Sequence, residues 1–323
     1  MLLKKRLPVW ALCLLFCLSV FTSCSSDDDS NSAPDPKTIV DLAVETPDLS
    51  ILVAALERAD LVDALNADGP FTVFAPNNAA FQALLDSNPD WNALEDIPVA
   101  TLQSVLLFHV LNAEVMASDL SDTYVNTMAT GPNDEALSLQ VETIGAVEFN
   151  GDAKPITTDI VASNGVIHII DKVMFPPNIV SLALNNAGFS TLVAALTDSR
   201  HTTDFVSVLS GDGPFTVFAP TNDAFQALLD SNDSWNGLGD IPIETLDAVL
   251  KYHVVNNANV QSDQLSNGDI TMLSGGMITI DLSSGAQIKT SSSQTVDILV
   301  GDATSDVQGT NGVIHAINAV LLP

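Results

Sequence analysis

Four histidines carry the side chains best suited to chemistry, and they come in matched pairs. His109 follows Phe108 and His253 follows Tyr252, while His168 and His315 both sit in Val-Ile-His runs. Imidazoles can ligate a metal or move a proton, but each use has a spacing that marks it. The sequence has no HxxxH, HxH, CxxC or Glu-x-x-His, and so no metal ligand set is assigned. His109 and His253 fall on apolar helical stripes, and His168 and His315 alternate with Val and Ile as on a strand. Core histidines hydrogen-bonded to backbone are the expectation. Two aspartates also recur just before a tight turn, Asp159 in TTDIVASNG and Asp306 in SDVQGTNG. Such residues satisfy turn amides or contact a partner. No loop has the DxDxDG spacing of a dedicated calcium site, and there is no G-x-S-x-G elbow, Gly-rich phosphate loop or HExxH. No catalytic residue and no cofactor is assigned, and the chain is expected not to be an enzyme.

All three cysteines lie near the N-terminus, at Cys13, Cys17 and Cys24. Lys4, Lys5 and Arg6 precede an apolar run from Val9 to Phe21, short for a membrane span and flanked like a secretory leader. Phe21-Thr22-Ser23-Cys24 resembles a bacterial lipobox, with Phe21 where a leucine is usual. The resemblance implies cleavage over residues 1–23 and acylation of Cys24. It would leave no free thiol in the mature chain, and its fold must hold by packing alone. Asp27, Asp28 and Asp29 resemble the acidic surface-export signal of lipoproteins in Bacteroidetes-type Gram-negative bacteria. Residues 24–36, rich in Ser, Asp, Asn and Pro, read as a tether.

Length and charge narrow the partners. The chain has 323 residues, 46% of them apolar, enough for two domains with proper cores. It carries 10 basic against 40 acidic side chains. That excess argues against nucleic acid and against a polybasic grip on anionic lipid. It fits a soluble, self-repelling surface.

The elements that must position these residues repeat. GPFTVFAPNNAAFQALLDSN, from Gly69, returns from Gly213 with two changes, Asn77 to Thr221 and Ala79 to Asp223. Ahead of it, Ile39, Leu42 and Ala43 have helical spacing, and so do Leu52, Ala55 and Leu56, with Ser50 as a candidate cap. The counterparts are Ile179, Leu182 and Ala183, then Leu192, Ala195 and Leu196. Extra residues enter the second copy around HTTDF, from His201. Phe71 to Phe74 reads as a buried strand stopped by Pro76, with Asn77 or Thr221 capping a helix that buries Phe81, Leu84 and Leu85. Trp91 and Trp235 are expected to close that corner of the core. A further helix begins near Pro98 and Pro242. Residues 112–175 turn to strand chemistry and end in a hairpin expected to turn on Asn164-Gly165. Helices, a strand, more helices and then a run of strands make an α+β pattern. The boundaries are read as 37–175 and 176–323, with Pro176-Pro177 at a short junction.

FTVFAPNNAAF and FTVFAPTNDAF resemble the first signature box of fasciclin (FAS1) domains. NGVIHIIDKVMFP and NGVIHAINAVLLP resemble the second, and Phe108-His109 and Tyr252-His253 fall where the family has its central Tyr-His pair. The resemblance implies two tandem modules, each a wedge-like β-structure packed with several α-helices. It implies an extracellular role in adhesion, matrix contact or surface anchoring. In animal members an Asp-Ile dipeptide before the second box and the Tyr-His pair are tied to integrin recognition. Their positions here are Asp159-Ile160 and Asp306-Val307, with Phe108-His109 and Tyr252-His253, as candidate partner-binding residues. The flanking family residues are absent, Val307 replaces Ile and Phe108 replaces Tyr. The expected partner is a surface, matrix or cell-wall macromolecule, reached from an outer membrane held by the N-terminal lipid. The alternative is a periplasm-facing lipoprotein that takes a glycan or a small hydrophobic ligand.

Overall fold

A computed structural model describes residues 36–301 and 303–323. The leader, Cys24 and the tether up to residue 35 lie outside the described residues. The first repeat runs α1 Ile39–Glu45, α2 Ser50–Arg58, α3 Val62–Leu65, β1 Phe71–Pro76, α4 Asn78–Ser87 and α5 Val99–Phe108. It continues β2 Val110–Leu111, β3 Thr123–Thr130, β4 Ala136–Glu142, β5 Glu148–Phe149, β6 Pro155–Ala162 and β7 Gly165–Ile170. The second runs α6 Ile179–Asn185, α7 Ser190–Leu196, α8 Phe205–Leu209, β8 Phe215–Pro220, α9 Asn222–Asp230, α10 Ile243–Lys251 and β9 Val254–Asn256. It ends with β10 Gly268–Thr271, β11 Met277–Asp281, β12 Gln287–Thr290, β13 Thr295–Asp297, β14 Val307–Gly309 and β15 Gly312–Ile317. The class is α+β, as the order of elements implies.

The duplicated stretch is the hinge of each core. The side chains of Asn77 and Thr221 accept from the amides of Ala80 and Ala224, so each helix after the strand starts on a side-chain cap. Ser50 does not cap. It is the first residue of α2, because a short turn over Pro47–Leu49 already leads into the helix, and its hydroxyl faces Asn78 instead. β1 alternates between two apolar layers. Phe71, Val73 and Ala75 join the layer under the helices with Ile39, Leu52, Phe81 and Leu102. Phe74 points the other way, into a core with Phe108, Leu137, Leu139 and Phe149. Its ring lies 4.4 Å from that of Phe149 and is fully buried. Burying each such side chain contributes about 2–3 kcal/mol. In the second repeat Phe215, Val217 and Ala219 face the helices, and Phe218 faces Ile278, Ile288 and Val296. Trp91 and Trp235 are half-buried against the helical layers.

Sheet order supplies what the linear pattern concealed. β1 pairs with β7 in parallel, Phe71 opposite Gly165 through Pro76 opposite Ile170, and β8 pairs with β15 in the same way. Each first signature stretch therefore lies beside the second one of its own repeat. In the first repeat the order is β5-β4-β3-β2-β1-β7-β6, one continuous sheet. In the second the strands separate into β10-β11-β12-β13 and β14-β15-β8-β9.

The hairpin before β7 turns one residue earlier than Asn164-Gly165. Ala162 pairs with Gly165, so Ser163 and Asn164 form the turn and neither has positive φ. Gly165 is already in the strand, and a Cβ there would stand 2.0 Å from the Phe71 carbonyl oxygen. Its glycine is required by the close parallel approach of β1. Asn164 works through its side chain. Oδ1 accepts from the Ile39 amide at 2.9 Å, and Nδ2 donates to the carbonyls of Leu65 at 2.8 Å and Ala67 at 2.9 Å. Asn311 makes the same three bonds to Ile179, Leu209 and Gly211.

Candidate functional site around the aspartate bulges and the seam between the repeats

The two recurrent aspartates occupy the same local structure. Asp159 has φ 60° and Asp306 φ 55°, left-handed values that aspartate tolerates better than most residues. At Asp159 the register of β6 against β7 shifts between Thr157 and Ile160, a bulge that aims the side chain out of the strand. Asp159 Oδ1 accepts from the Ala117 amide at 2.8 Å, and Asp306 Oδ1 accepts from the Ser262 amide at 2.6 Å. The Ser262 hydroxyl also donates to Asp306 Oδ2. Asp159 thus ties a bulged strand, and Asp306 the residue that leads into β14, to the loop that follows the central histidine of its repeat. Asp159 is exposed and Asp306 half-buried, so a carboxylate edge of each reaches the surface. Ile160 is half-buried, whereas Val307 is buried.

The histidines lie inside. His168 and His315 are fully buried. Nε2 of His168 donates to the Val115 carbonyl at 2.9 Å, and its Nδ1 accepts from the Asp159 amide at 3.2 Å. His315 repeats this with Val260 at 2.8 Å and the Asp306 amide at 3.3 Å. His109 and His253 use the opposite tautomer. Nδ1 donates to Val105 and Val249 carbonyls, each at 2.7 Å, and Nε2 accepts from Met174 and Leu321 amides, each at 2.9 Å. Burial pushes both rings down to about 4, against the backbone bonds that raise them. Burial also lowers His315, opposed by its bond to Val260 and the charge of Asp306. Phe108 and Tyr252 are fully buried, and the Tyr252 hydroxyl donates to the Met277 carbonyl at 2.6 Å. The candidate residues therefore divide. Asp159, Ile160 and Asp306 reach the surface, and Phe108, His109, Tyr252, His253 and Val307 hold the scaffold beneath. Among the described residues no three His, Cys, Asp or Glu side chains converge as a metal-binding group.

Sequence reasoning passed over two features. The insertion in the second repeat carries a fifth histidine, His201, whose Nδ1 lies 2.6 Å from Asp247 Oδ1 and Nε2 2.8 Å from the Ala195 carbonyl. Asp247 also takes Lys251 at 2.8 Å and Thr203 at 3.2 Å. Burial alone would raise that carboxyl, but its three donors hold it below the usual range. The pins belong to the loop and are legible only once α10 is beside it.

The other feature is a seam between the repeats built from side-chain amides. The Gln308 backbone N–H donates across to Ser138 Oγ at 2.9 Å, and within the second repeat the buried Gln308 side chain braces Asn259 and Gln261. Asn133 donates to the Asn259 carbonyl at 3.1 Å, Asn185 to the Asn150 carbonyl at 3.1 Å, and Asn186 to the Tyr124 hydroxyl at 3.0 Å. Tyr124, a residue of β3, packs into the helical core of the second repeat, and burial pushes its hydroxyl up to about 12. Neutral amides are the economical glue in so acidic a chain, since they satisfy buried groups without adding charge. Along the seam open two cavities. One of about 370 Å³ is lined by Asn126, Glu135, Ser138, Gln261, Ser305 and Asp306. The other, of about 430 Å³, is lined by Asp122, Tyr124, Gln140, Glu142, Ile144 and Asn186.

Comparisons with known proteins agree with this architecture. The model of the Fasciclin domain family matches residues 47–176 and again 187–323. Protein sll1483 of Synechocystis sp. is 42% identical over 140 residues, covering 43% of this chain and 74% of that protein. Human periostin is 29% identical over 269 residues, covering 83% of this chain but only 30% of periostin. Among solved structures, a FAS1 domain pair from the insect cell adhesion molecule Fasciclin I superposes with a TM-score of 0.50 at 19% identity. That match covers 86% of this chain and 98% of the pair, a likeness of fold. With both signature stretches paired in each repeat and the family matched twice, the chain belongs to the fasciclin domain family and carries two such domains in tandem.

Proposed function

We propose that this chain is a lipid-anchored cell-surface protein whose two fasciclin domains mediate adhesion to matrix, polysaccharide or other cells. The observation that carries the reading is the tandem itself: two fasciclin domains, one lipobox-like Cys24 and a Ser/Asp/Pro tether that would hold them off a membrane. Among the described residues no single helix is long and apolar enough to cross a membrane. Acyl chains on Cys24 would supply the hold, each buried CH₂ contributing about 0.8 kcal/mol. Two domains raise avidity when both bind, because the second contact is intramolecular. Asp159 and Asp306 are the candidate contacts that reach solvent.

The alternative is a periplasm-facing lipoprotein that captures a glycan or a small hydrophobic ligand, and for the hydrophobic ligand it would use an apolar groove. One lies between α6, α7 and α8, lined by Val180, Leu184, Leu196 and Val206. Its volume of about 30 Å³ is too small for an acyl chain or a sugar ring. The adhesive reading is tested by shaving intact cells with protease and by comparing the wild type with Cys24→Ser. The expected result is digestion of wild type on intact cells and release of the variant from the membrane fraction. Full protection until the outer membrane is broken would refute surface exposure. A glycan and matrix-protein array, probed with and without Ca²⁺ and with Asp159→Ala and Asp306→Ala, then identifies the partner. Unchanged binding by both variants would reduce the two aspartates to turn chemistry.

A further inference from the structure

Three side chains that build the seam in the second domain have counterparts of different chemistry in the first. Shared bonds fix the correspondence. His168 and His315 donate to the carbonyls of Val115 and Val260, and Asp159 and Asp306 accept from the amides of Ala117 and Ser262. Glu114, Met116 and Val161 therefore stand where the second domain has Asn259, Gln261 and Gln308. Those three amide residues touch one another and are buried, with Asn259 and Gln308 bonded to Pro132, Asn133 and Ser138 of the first domain. In the first domain Glu114 is exposed, Met116 half-buried and Val161 64% exposed.

The backbone at Val161 is open as well. Val161 lies on β6, the outermost strand of its sheet, opposite Val166 as Gln308 lies opposite Val313. The Gln308 N–H points away from β15 and reaches Ser138 Oγ at 2.9 Å, so the Val161 N–H, in the same register, points away from β7. Among the described residues no strand pairs with that side of β6. Pro155 and the bulge at Asp159 stop a long strand from adding there, which leaves Ile160 to Ala162 as a short open ladder. Ile156 on the same strand is 54% exposed.

We propose that the β6 edge at Val161, with Glu114 and Met116 beside it, is the surface that grips a partner protein, and that its occupant is a short extended segment carrying a lysine or arginine next to an aliphatic residue. A carbonyl of that segment accepts from the Val161 N–H, its cation meets Glu114, and its aliphatic side chain covers Val161 and Met116. The charge selects among occupants. A second copy of a chain with 40 acidic and 10 basic side chains is repelled, and so is an acidic polysaccharide. A neutral glycan brings no cation for Glu114. The first domain makes the contact and the second does not, because its equivalent edge is covered by the seam. That the occupant belongs to an adhesive partner rests on the reading above, and the open edge does not.

The test is a titration of the full chain with a capped five-residue peptide of alternating valine and lysine, followed by amide NMR and hydrogen exchange. Shifts are expected at Glu114 to Ala117 and at Ile156 to Ala162. Exchange of the Val161 amide, fast in the free chain, should slow about tenfold. The Gln308 amide, already bonded across the seam, should not respond. Glu114→Gln should weaken the peptide up to about fivefold. Val161→Pro removes the outward N–H without breaking a bond to β7 and should weaken it about tenfold. Should that variant misfold, Val161→Gln, which copies the second domain, is read in its place at about fivefold. A Val161 amide protected before peptide is added, equal response to a peptide with glutamate for lysine, absence of shifts at these amides, or full affinity in a folded variant would overturn the proposal. The same shifts from an oligosaccharide, or from self-association of the chain, would overturn the assignment to a partner protein. Undiminished adhesion of the variants to cells or matrix refutes this inference alone. Peptide binding by a chain that adheres to nothing refutes the adhesive reading alone.

Discussion

Acidification offers the sharpest test of how the fold is held. His109 and His253 are each bonded through both ring nitrogens, one to a carbonyl and one from an amide. Protonation would turn the accepting Nε2 toward an N–H and break that bond inside a core. Burial accordingly lowers both rings from 6.5 to about 4. The sign follows. An unfolded chain takes up a proton near 6.5 and the folded one only near 4, so the unfolded state binds more protons between those values. Stability is full above about pH 7 and is lost as pH falls toward 4. The gap corresponds to a ceiling of about 3.4 kcal/mol per ring. At about pH 5 each ring has already cost about 2 kcal/mol relative to about pH 8. Burial of His315 acts in the same direction. Carboxylates do not share the window, because even Asp198, held down to about 2 by Arg200, loses its bonus only below its ordinary value of 3.8. The assay is urea unfolding followed by tryptophan fluorescence, which reads Trp91 in one domain and Trp235 in the other. A loss of about 4 kcal/mol across both domains between pH 8 and pH 5 is expected. The double variant His109→Gln, His253→Gln should be weaker at pH 8 but much flatter with pH. Equal wild-type stability at both pH values, or His109 and His253 resonances titrating near 6.5 in the folded chain, would refute the reasoning.

Other perturbations read the scaffold. Asn164→Ala removes three bonds, leaves the Ile39 amide and the Leu65 and Ala67 carbonyls without it, and should cost about 2–4 kcal/mol in urea unfolding. Gly165→Ala would push a methyl into the Phe71 carbonyl and should cost about 3 kcal/mol, with Gly312→Ala similar in the second domain. Gln308→Leu keeps the backbone bond to Ser138 but removes the side chain that braces Asn259, the residue bonded to Asn133 and Pro132 of the first domain. Calorimetry should then show the two domains melting apart, with a loss of about 1–3 kcal/mol in the second.

Much of each domain was legible along the chain because its signals are local. A side-chain cap three residues before a helical amide, an apolar alternation and a proline at a strand end all act within a few residues. Asn77 and Thr221 cap where the sequence puts them, and Phe71 to Phe74 lies in a buried strand, whose division between two layers the structure supplied. Histidines on apolar stripes read correctly as core groups satisfied by backbone, since nothing in their spacing gathered a second ligand. The Asn-Gly hairpin misled for a physical reason. The dipeptide matches a turn, but here glycine answers to a strand about 90 residues away and asparagine to a helix start still farther off.

By itself the sequence determined that the chain is a duplication, which family it belongs to, and which residues turn inward in the helices and the strand around each first signature stretch. Those properties follow from periodicity and local hydrogen bonding, and both copies show them alike. Tertiary structure decided the parallel pairing of β1 with β7 and the pins on His201. It also decided the amide seam, where Gln308 of the second domain is covered while Val161, its counterpart in the first, stays exposed. Two equivalent positions of the repeat thus acquire different surroundings. Burial between domains depends on groups far apart in the chain, and no local pattern records which of two equivalent edges another domain will cover.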